Sequence, residues 1–196
     1  MGQIHEAPLN ELALDLARAS GARDFVETGT FQGDAVNWAA IHFDRVWTLE
    51  ISAEYQAHAR ARNSRHANVR YYLGDSASLL PEIVRQLRGP AIFWLDAHAG
   101  AGYFASVDSC PLLAELDTIV SSHVEHCVLV DDARAFVAPP PPPFDYRQWP
   151  SLEEIFALVL KRPQYHVTII SDAILIVPKR LRALVATHCF RIRPTI

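Results

Sequence analysis

The sequence predicts an α/β protein with a doubly wound, mostly parallel sheet of seven strands. Short β-rich segments alternate with helical patterns through most of the chain, which is typical of a parallel sheet covered by helices. Residues 91–95 form a continuous apolar run, as expected of a central strand buried on both faces. Near the end, strands at 165–170 and 173–177 follow one another through Ser171 and Asp172, which predicts a closing antiparallel hairpin.

The composition favours a single globular domain. The chain has 196 residues, of which 50% are hydrophobic and 20% are charged. Its formal net charge of −4 argues against nucleic acid as the main partner, because binding to phosphates requires a basic face. Cys110, Cys127 and Cys189 lie far apart without a CxxC motif, so we expect neither a disulfide framework nor a zinc site. We find no signal peptide or membrane span in the sequence and expect a cytoplasmic protein.

The pattern divides the domain, which is expected to span 1–196, into three parts. Residues 1–22 are predicted to form a leading helix, 24–179 the core, and 180–196 a short amphipathic ending. Within the core, further strands are expected at 24–30, 45–51, 69–73 and 127–130, and helices at 34–43, 52–66, 77–87, 112–123 and 151–161.

The first strand leads into a glycine-bearing turn with the spacing Glu-x-Gly-x-x-x-Gly. Glu27 ends the strand, Gly29 and Gly33 are expected to leave room for a ligand, and Asp34 is the predicted N-cap of the following helix. Such a unit places a polar ligand at a helix N-terminus, outside the carboxyl end of the strand. The spacing differs from the Gly-x-Gly-x-x-Gly of dinucleotide sites. The alternative is an ordinary turn that binds nothing.

Acidic residues end the next two strands as well. Glu50 lies about 20 residues after Gly29, the interval expected for an acid that binds a ribose diol. Its alternative role is to support the helix that starts near Ser52. Asp75 and Ser76 follow the third strand, where either a ligand contact or a helix cap would suit them.

Three aspartates end the fourth and fifth strands. Asp96 follows the apolar run at 91–95, and Asp131 and Asp132 follow the strand at 127–130. Adjacent carboxylates at the rim of a buried strand are costly unless something neutralises them. Together they form an all-oxygen set that suits Mg²⁺ or another hard cation.

These motifs resemble those of class I S-adenosylmethionine-dependent methyltransferases, over about residues 24–179. The resemblance implies a Rossmann-like sheet and an enzyme that binds S-adenosylmethionine. By this resemblance the cofactor-binding residues are Glu27, Gly29, Thr30, Gly33, Glu50, Asp75, Ser76 and Asp96. Within the class, the chain looks like the small metal-dependent O-methyltransferases of the catechol and macrolide-sugar types. That likeness implies a divalent metal at Asp96, Asp131 and Asp132.

The chain departs from catechol-type enzymes at the position of the general base. No lysine follows Asp96, and His98 could accept the proton instead, since its ordinary pKa of about 6.5 suits that task. The alternative is a structural histidine. Because the leading segment is short, the acceptor pocket is expected from loops 99–109 and 133–150, including the proline run 139–143, or from the partner chain of a homodimer.

The sequence therefore predicts methyl transfer to a small hydroxylated acceptor, assisted by a divalent metal. Asp96 and His98 are the candidate catalytic residues. Three alternatives stay open: a metal-free methyltransferase with a histidine base, a non-catalytic cofactor-binding scaffold, and a nicotinamide-dependent oxidoreductase.

Overall fold

The chain folds into one seven-stranded sheet with helices on both faces. The structure is a computed structural model and describes residues 3–98, 110–138 and 145–191. The strands are β1 (Asp24–Thr28), β2 (Arg45–Glu50), β3 (Val69–Leu73), β4 (Ala91–Leu95), β5 (Cys127–Val130), β6 (Tyr165–Ile170) and β7 (Ala173–Pro178). The helices are α1 (Leu9–Ser20), α2 (Asp34–His42), α3 (Ala53–Arg62), α4 (Ser76–Gln86), α5 (Leu112–Val120), α6 (Ala133–Val137), α7 (Leu152–Leu160) and α8 (Arg182–Arg191).

The strand order is β3-β2-β1-β4-β5-β7-β6. Neighbours from β3 to β5 run parallel, and β7 lies antiparallel to both β5 and β6. This confirms the predicted doubly wound sheet with its closing hairpin. Because β1 to β5 are parallel, their carboxyl ends all meet at one edge, which we call the carboxyl edge.

Apolar side chains on the two faces of the sheet form two separate core clusters. Phe93 belongs to the cluster beneath α4, α5 and α7, and its neighbour Trp94 belongs to the cluster beneath α1, α2 and α8. Successive residues of a strand point to opposite faces, so a strand covered on both sides must be apolar throughout. All the residues of β4 and β5 are buried, as the apolar runs predict.

Several element ends differ from the prediction. Asp34 is the first residue of α2 and does not cap it. Gly33 holds the N-cap position in the left-handed region, with φ of 79°, and Asp34 pairs with Arg62 at 2.6 Å instead. Helix α3 ends at Arg62 rather than at 66. The side chain of the next residue, Asn63, donates to the carbonyls of Ala59 and Gly33, at 3.0 Å each.

Part of the predicted architecture lies outside the described residues. This applies to the loop at 99–109, to the proline run 139–143 and to the tail at 192–196. In the described ranges, none of the helices is long and apolar enough to cross a membrane.

A buried charge cluster fixes the amino end of the sheet. The carboxylate of Asp24 is 1% exposed and accepts hydrogen bonds from Arg45 Nε and Nη2, both at 2.6 Å, and from Trp47 Nε1 at 2.9 Å. These bonds join β1 to β2 far from the carboxyl edge. A buried carboxylate with this many donors is compensated, whereas its partners would be left unpaired without it.

Replacing Asp24 is therefore expected to destabilise the fold strongly. Asp24→Ala should lower the free energy of unfolding by roughly 3 kcal/mol, the cost of breaking a buried ion pair. Urea denaturation measures the change. Asp44→Ala serves as the control, because it breaks an exposed ion pair with Arg23 and should cost below about 1 kcal/mol. Equal losses in the two variants would contradict this prediction.

Candidate functional site

The carboxyl edge carries most of the acidic residues that the sequence singled out. Glu27 lies near the end of β1, Glu50 ends β2, and Asp96 follows β4. Asp131 and Asp132 follow β5, which pairs with β4. The fold thus gathers these carboxylates along one crevice, where open α/β sheets bind their ligands.

The turn after β1 packs directly against the neighbouring strands. The backbone N–H groups of Gly29 and Thr30 donate to the carbonyl of Leu49, at 2.9 and 3.2 Å. Gly29 has φ of 87°, and a Cβ added there would lie 2.2 Å from the carbonyl oxygen of Asp96. A side chain cannot fit at this position, because the end of β4 occupies the space.

Gly33 has a similar explanation. A Cβ there would lie 2.6 Å from the amide nitrogen of Asn63 and 2.9 Å from the Cβ of Ala59. The space that each missing Cβ leaves is therefore filled by the protein itself, and contact of a ligand with either glycine stays a prediction. Both glycines are needed for packing of the protein against itself.

Glu27 is buried, with 2% of its surface exposed. Its Oε2 accepts a hydrogen bond from Thr48 Oγ1 at 2.7 Å, and Thr48 Oγ1 lies 2.5 Å from Thr30 Oγ1 in the turn. Burial raises the pKa of Glu27 to about 8, and the carboxylates of Glu50 and Asp34 contribute in the same direction. This carboxyl group is therefore mostly protonated at neutral pH.

Glu50 has two charge-compensating donors. Its Oε2 accepts from the backbone N–H of Phe31 and its Oε1 from that of Ser52, both at 2.9 Å. Each oxygen keeps a second lone pair that could accept from a ligand hydroxyl. The first bond also holds Phe31 in the left-handed region, with φ of 46°, where its exposed ring packs on Tyr55 at 4.8 Å.

Asp75 is the N-cap of α4. Its Oδ2 accepts from the backbone N–H of Ser78 at 3.0 Å and from the Ser78 hydroxyl at 2.5 Å. Ser76 is the first residue of the helix and is buried. The helix-cap role is thus present for Asp75, while the contact of Asp75 and Ser76 with a cofactor stays a prediction.

The second group of polar residues lies beyond β4 and β5, around His98. The His98 side chain is 5% exposed, and its Nε2 lies 3.3 Å from Asp132 Oδ2 and 3.8 Å from Asp96 Oδ1. Hydrogen bonding to His98 lowers the pKa of Asp132. Burial, together with Asp131 and Asp132, raises the pKa of Asp96 well above its usual range. Burial also raises the pKa of Asp131 to about 7.

Residues that sequence reasoning missed complete this group. Arg134 Nη2 donates to Asp132 Oδ1 at 2.9 Å, and Arg134 Nη1 lies 3.2 Å from Asp172 Oδ2. Asp172, in the hairpin turn, also accepts from the backbone of α6: its carbonyl from Ala133 N at 2.7 Å and its Oδ1 from Arg134 N at 3.0 Å. The sequence signal was too weak to find α6, because this helix has only five residues.

Aromatic rings surround the histidine. The ring centroids of Phe136 and Trp149 lie 5.8 and 5.2 Å from that of His98, both in edge-on arrangements. Glu115, on α5, is 1% exposed and adds to the negative charge near Asp96. The sequence did contain a signal for Glu115, because a glutamate on the apolar face of a helix is unusual. Leu112, Leu116 and Ile119 are buried on the same helix.

The aspartates fit a metal ion in chemistry but not in arrangement. Their oxygens suit Mg²⁺, yet the described part of the chain contains no group of three or more histidine, cysteine or acidic residues placed to hold a metal ion. Asp132 is already engaged by His98 and Arg134. Burial and the neighbouring carboxylates raise the pKa values of Asp96 and Asp131, so a positive charge, from a proton or from a cation, would stabilise them. A metal at Asp96, Asp131 and Asp132 stays a prediction.

A pocket of about 180 Å³ opens near the hairpin turn. Gln3, Glu6 and Leu9 line one side of it and Ser171 and Asp172 the other. Through Asp172 it adjoins the Arg134 and Asp132 pair. Polar side chains, those of Gln3, Glu6, Ser171 and Asp172, make up much of its lining.

Comparison with known proteins identifies the fold. No protein-family model matches the chain, and no curated protein is similar to it in sequence. Among solved structures, the O-methyltransferase TomG from Streptomyces achromogenes, involved in tomaymycin synthesis and solved with SAM, aligns with a TM-score of 0.59 and 20% identity over 88% of this chain and 80% of its own. An O-methyltransferase from Bacillus cereus, solved with SAH, gives 0.62 and 22% over 90% and 84%.

The chain has the fold of the class I methyltransferases. The 23S rRNA methyltransferase ErmE shares it more distantly, with a TM-score of 0.54 and 15% identity over 86% of this chain and 68% of its own. The fold predicted from the sequence is therefore confirmed. Contact of Glu27 and Glu50 with a cofactor stays a prediction.

Glu27→Gln is expected to stabilise the protein at neutral and alkaline pH. The pKa of Glu27 is about 8 in the folded protein and 4.5 ordinarily, so the folded protein keeps the proton more tightly than the unfolded chain does. The contribution of Glu27 to the free energy of unfolding is therefore complete below pH 4.5 and is lost as the pH rises towards about 8. Glutamine stays neutral and can still accept from Thr48. At pH 8 the variant should gain at least about 1 kcal/mol, the worth of roughly one pKa unit.

Urea denaturation between pH 5 and pH 8 tests this prediction. The difference between the variant and the natural protein should grow with pH. Glu54→Gln, at an exposed position of α3, is the control and should show no such trend. Parallel stability profiles for all three proteins would contradict the buried, mostly protonated state of Glu27.

Proposed function

We propose that the protein is an S-adenosylmethionine-dependent methyltransferase that methylates an oxygen of a small hydroxylated acceptor. The observation that carries this proposal is the pair of buried carboxylates, Glu27 and Glu50, at the carboxyl edge of a class I methyltransferase fold. Burial of an acid lowers stability unless a partner compensates it, and such acids are common at functional sites. A cationic, hydroxylated nucleoside would be a suitable partner for both. TomG and the Bacillus cereus enzyme, which share the fold, were solved with SAM and SAH.

Each part of the cofactor has a proposed partner. Glu50 accepts from the ribose hydroxyls through the lone pairs that Phe31 and Ser52 leave open. Glu27 lies behind the turn and favours the positive charge of the methionine end, and Gly29, Thr30 and Gly33 shape that turn. The proposed partners of the adenine and the reacting centre are Asp75, Ser76 and Asp96.

Two arrangements could accept the proton of the acceptor hydroxyl, and the geometry favours the histidine. With Nε2–H of His98 donating to Asp132, Nδ1 is the nitrogen able to accept a proton. Asp132 then orients the ring and stabilises its charged form, while Phe136 and Trp149 hold it in place. The bound cofactor supplies the methyl group. In the alternative, Asp96, Asp131 and Asp132 hold a divalent metal that lowers the pKa of the hydroxyl.

The charge of the chain favours a small acceptor over RNA. Its formal net charge is −4, and the carboxyl edge is itself acidic, so a phosphate backbone would be repelled. The pocket beside Asp172 has room for a hydroxylated extension of such a molecule. We propose that the protein acts in the cytoplasm, and that a homodimer completes the acceptor site.

Calorimetry with S-adenosylhomocysteine tests the proposed function. The folded protein should bind it with micromolar affinity, and Glu50→Gln should weaken binding at least about 10-fold, the loss of one hydrogen bond to a charged group. Glu54→Gln should bind as the natural protein does. Absence of binding by a folded sample at high micromolar concentration would overturn the proposal.

The role of a metal has a separate test. Mn²⁺, a paramagnetic probe for Mg²⁺ sites, is titrated into protein saturated with S-adenosylhomocysteine and followed by electron paramagnetic resonance. Since His98 and Arg134 already engage Asp132, we expect no site tighter than about 1 mM. Tighter binding that Asp131→Asn abolishes would establish the metal-assisted form instead.

A further inference from the structure

Glu27 is buried without a positive partner. Its described hydrogen bond comes from the neutral hydroxyl of Thr48, and in the described ranges no lysine or arginine forms an ion pair with it. Tyr71, on β3, lies in the same row of the sheet as Thr48, and its hydroxyl has no hydrogen-bond partner in that part of the chain. A carboxylate in these surroundings is unstable unless a cation arrives from elsewhere.

The charged groups that face Glu27 from neighbouring elements are mostly acidic. They are Glu50 on β2, Asp34 on α2 and Asp96 after β4, and each disfavours its ionised form. The nearby arginines on α3 are directed to other groups. Arg62 pairs with Asp34 at 2.6 Å, and the guanidinium of Arg60 lies over the ring of Tyr71, 5.9 Å from its centre.

The turn above Glu27 connects this carboxyl to the crevice. Thr48 donates to Glu27, and Thr30, whose hydroxyl is 2.5 Å from that of Thr48, belongs to the turn itself. Gly29, which lies between Glu27 and Thr30 in the chain, packs on the end of β4. A ligand that rests on the turn therefore lies close to a buried group whose charge can change.

We propose that binding of a ligand whose amino-acid end carries a positive charge drives one proton from Glu27 into solution. This inference rests on the proposed function and deepens it. The carboxylic acid loses H⁺ to the buffer, and the carboxylate that remains is stabilised by the cation of the ligand. A neutral ligand gains nothing from ionising Glu27 and leaves its proton in place.

The magnitudes are consistent with this exchange. The pKa of Glu27 in the free protein is about 8, raised by burial first and then by Glu50 and Asp34. An opposite charge within about 4–6 Å lowers a carboxyl pKa by roughly 1–3 units. That shift leaves Glu27 between half ionised and almost fully ionised in the complex at pH 7. The affinity for a cationic ligand should then rise between about 2-fold and about 8-fold from pH 6 to pH 7.

Calorimetry in two buffers of different ionisation enthalpy measures the proton directly. The probes are S-adenosylhomocysteine, whose amino-acid end carries an ammonium and a carboxylate group, and methylthioadenosine, which has the same nucleoside and neither of these groups. At pH 7 we expect the first to release between about 0.4 and 0.9 proton and the second to release none. The affinity of methylthioadenosine should not change between pH 6 and pH 7.

Variants assign the proton to its source. Glu27→Gln should abolish proton release and the pH dependence of S-adenosylhomocysteine binding, and should bring its affinity closer to that of methylthioadenosine. Glu54→Gln should behave as the natural protein. Thermal melting of Glu27→Gln without ligand verifies that it folds.

The outcomes separate this inference from the proposed function. If S-adenosylhomocysteine binds without releasing a proton, or if Glu27→Gln releases as much as the natural protein, Glu27 does not play this role and the cofactor assignment survives. In the second case Asp96 or Asp131 is the source of the proton. If neither probe binds, the proposed function itself fails.

Discussion

The burial of several carboxyl groups at one edge of the sheet is the constraint on which the rest of the structure depends. The strand order forces this arrangement, because β1, β2, β4 and β5 all end there with acids near their carboxyl ends. Each acid must then be offset by a different means. Backbone N–H groups serve Glu50, His98 and Arg134 serve Asp132, and protonation serves Glu27.

These different means divide the edge into two regions with different chemistry. On the side of β1 and β2, Glu27 and Glu50 lie beside a tight turn that Gly29 packs onto β4. On the side of β5, His98 is enclosed by rings and joined to Asp132. In the function proposed above, the first region holds a charged nucleoside and the second accepts a proton. The end of β4, with Asp96, lies between them.

The sequence was sufficient to predict the sheet, because its signals are local. Apolar runs such as 91–95, and the acids that end them, define strands to within two residues, and the strand order follows from the methyltransferase resemblance. Helix ends were harder, since capping depends on geometry: Asp34 has the right side chain for an N-cap, but the cap falls on Gly33. The acids Glu27 and Glu50 were identifiable from position alone, but their different hydrogen-bond partners were not.

The group around His98 could not be predicted in full, because it is assembled from segments far apart in the sequence. Trp149 and Phe136 reach His98 across the sheet edge, and nothing in their local sequence indicates this contact. Arg134 follows Asp132 closely, but its second partner, Asp172, lies in the closing hairpin. Likewise, a side chain at position 33 is excluded by Asn63, which follows a different helix.

The hairpin turn that holds α6 has a consequence for the order in which the molecule is completed during synthesis. Asp172 accepts from the first two backbone N–H groups of α6 and pairs with Arg134, and β7 inserts between β5 and β6. A nascent chain that has not yet released this hairpin from the ribosome lacks the residues that fix Arg134, and through it Asp132. The side-chain hydrogen bonds of Glu27 and Glu50 all lie within residues 27–52, whereas those that hold Arg134 require the end of the chain.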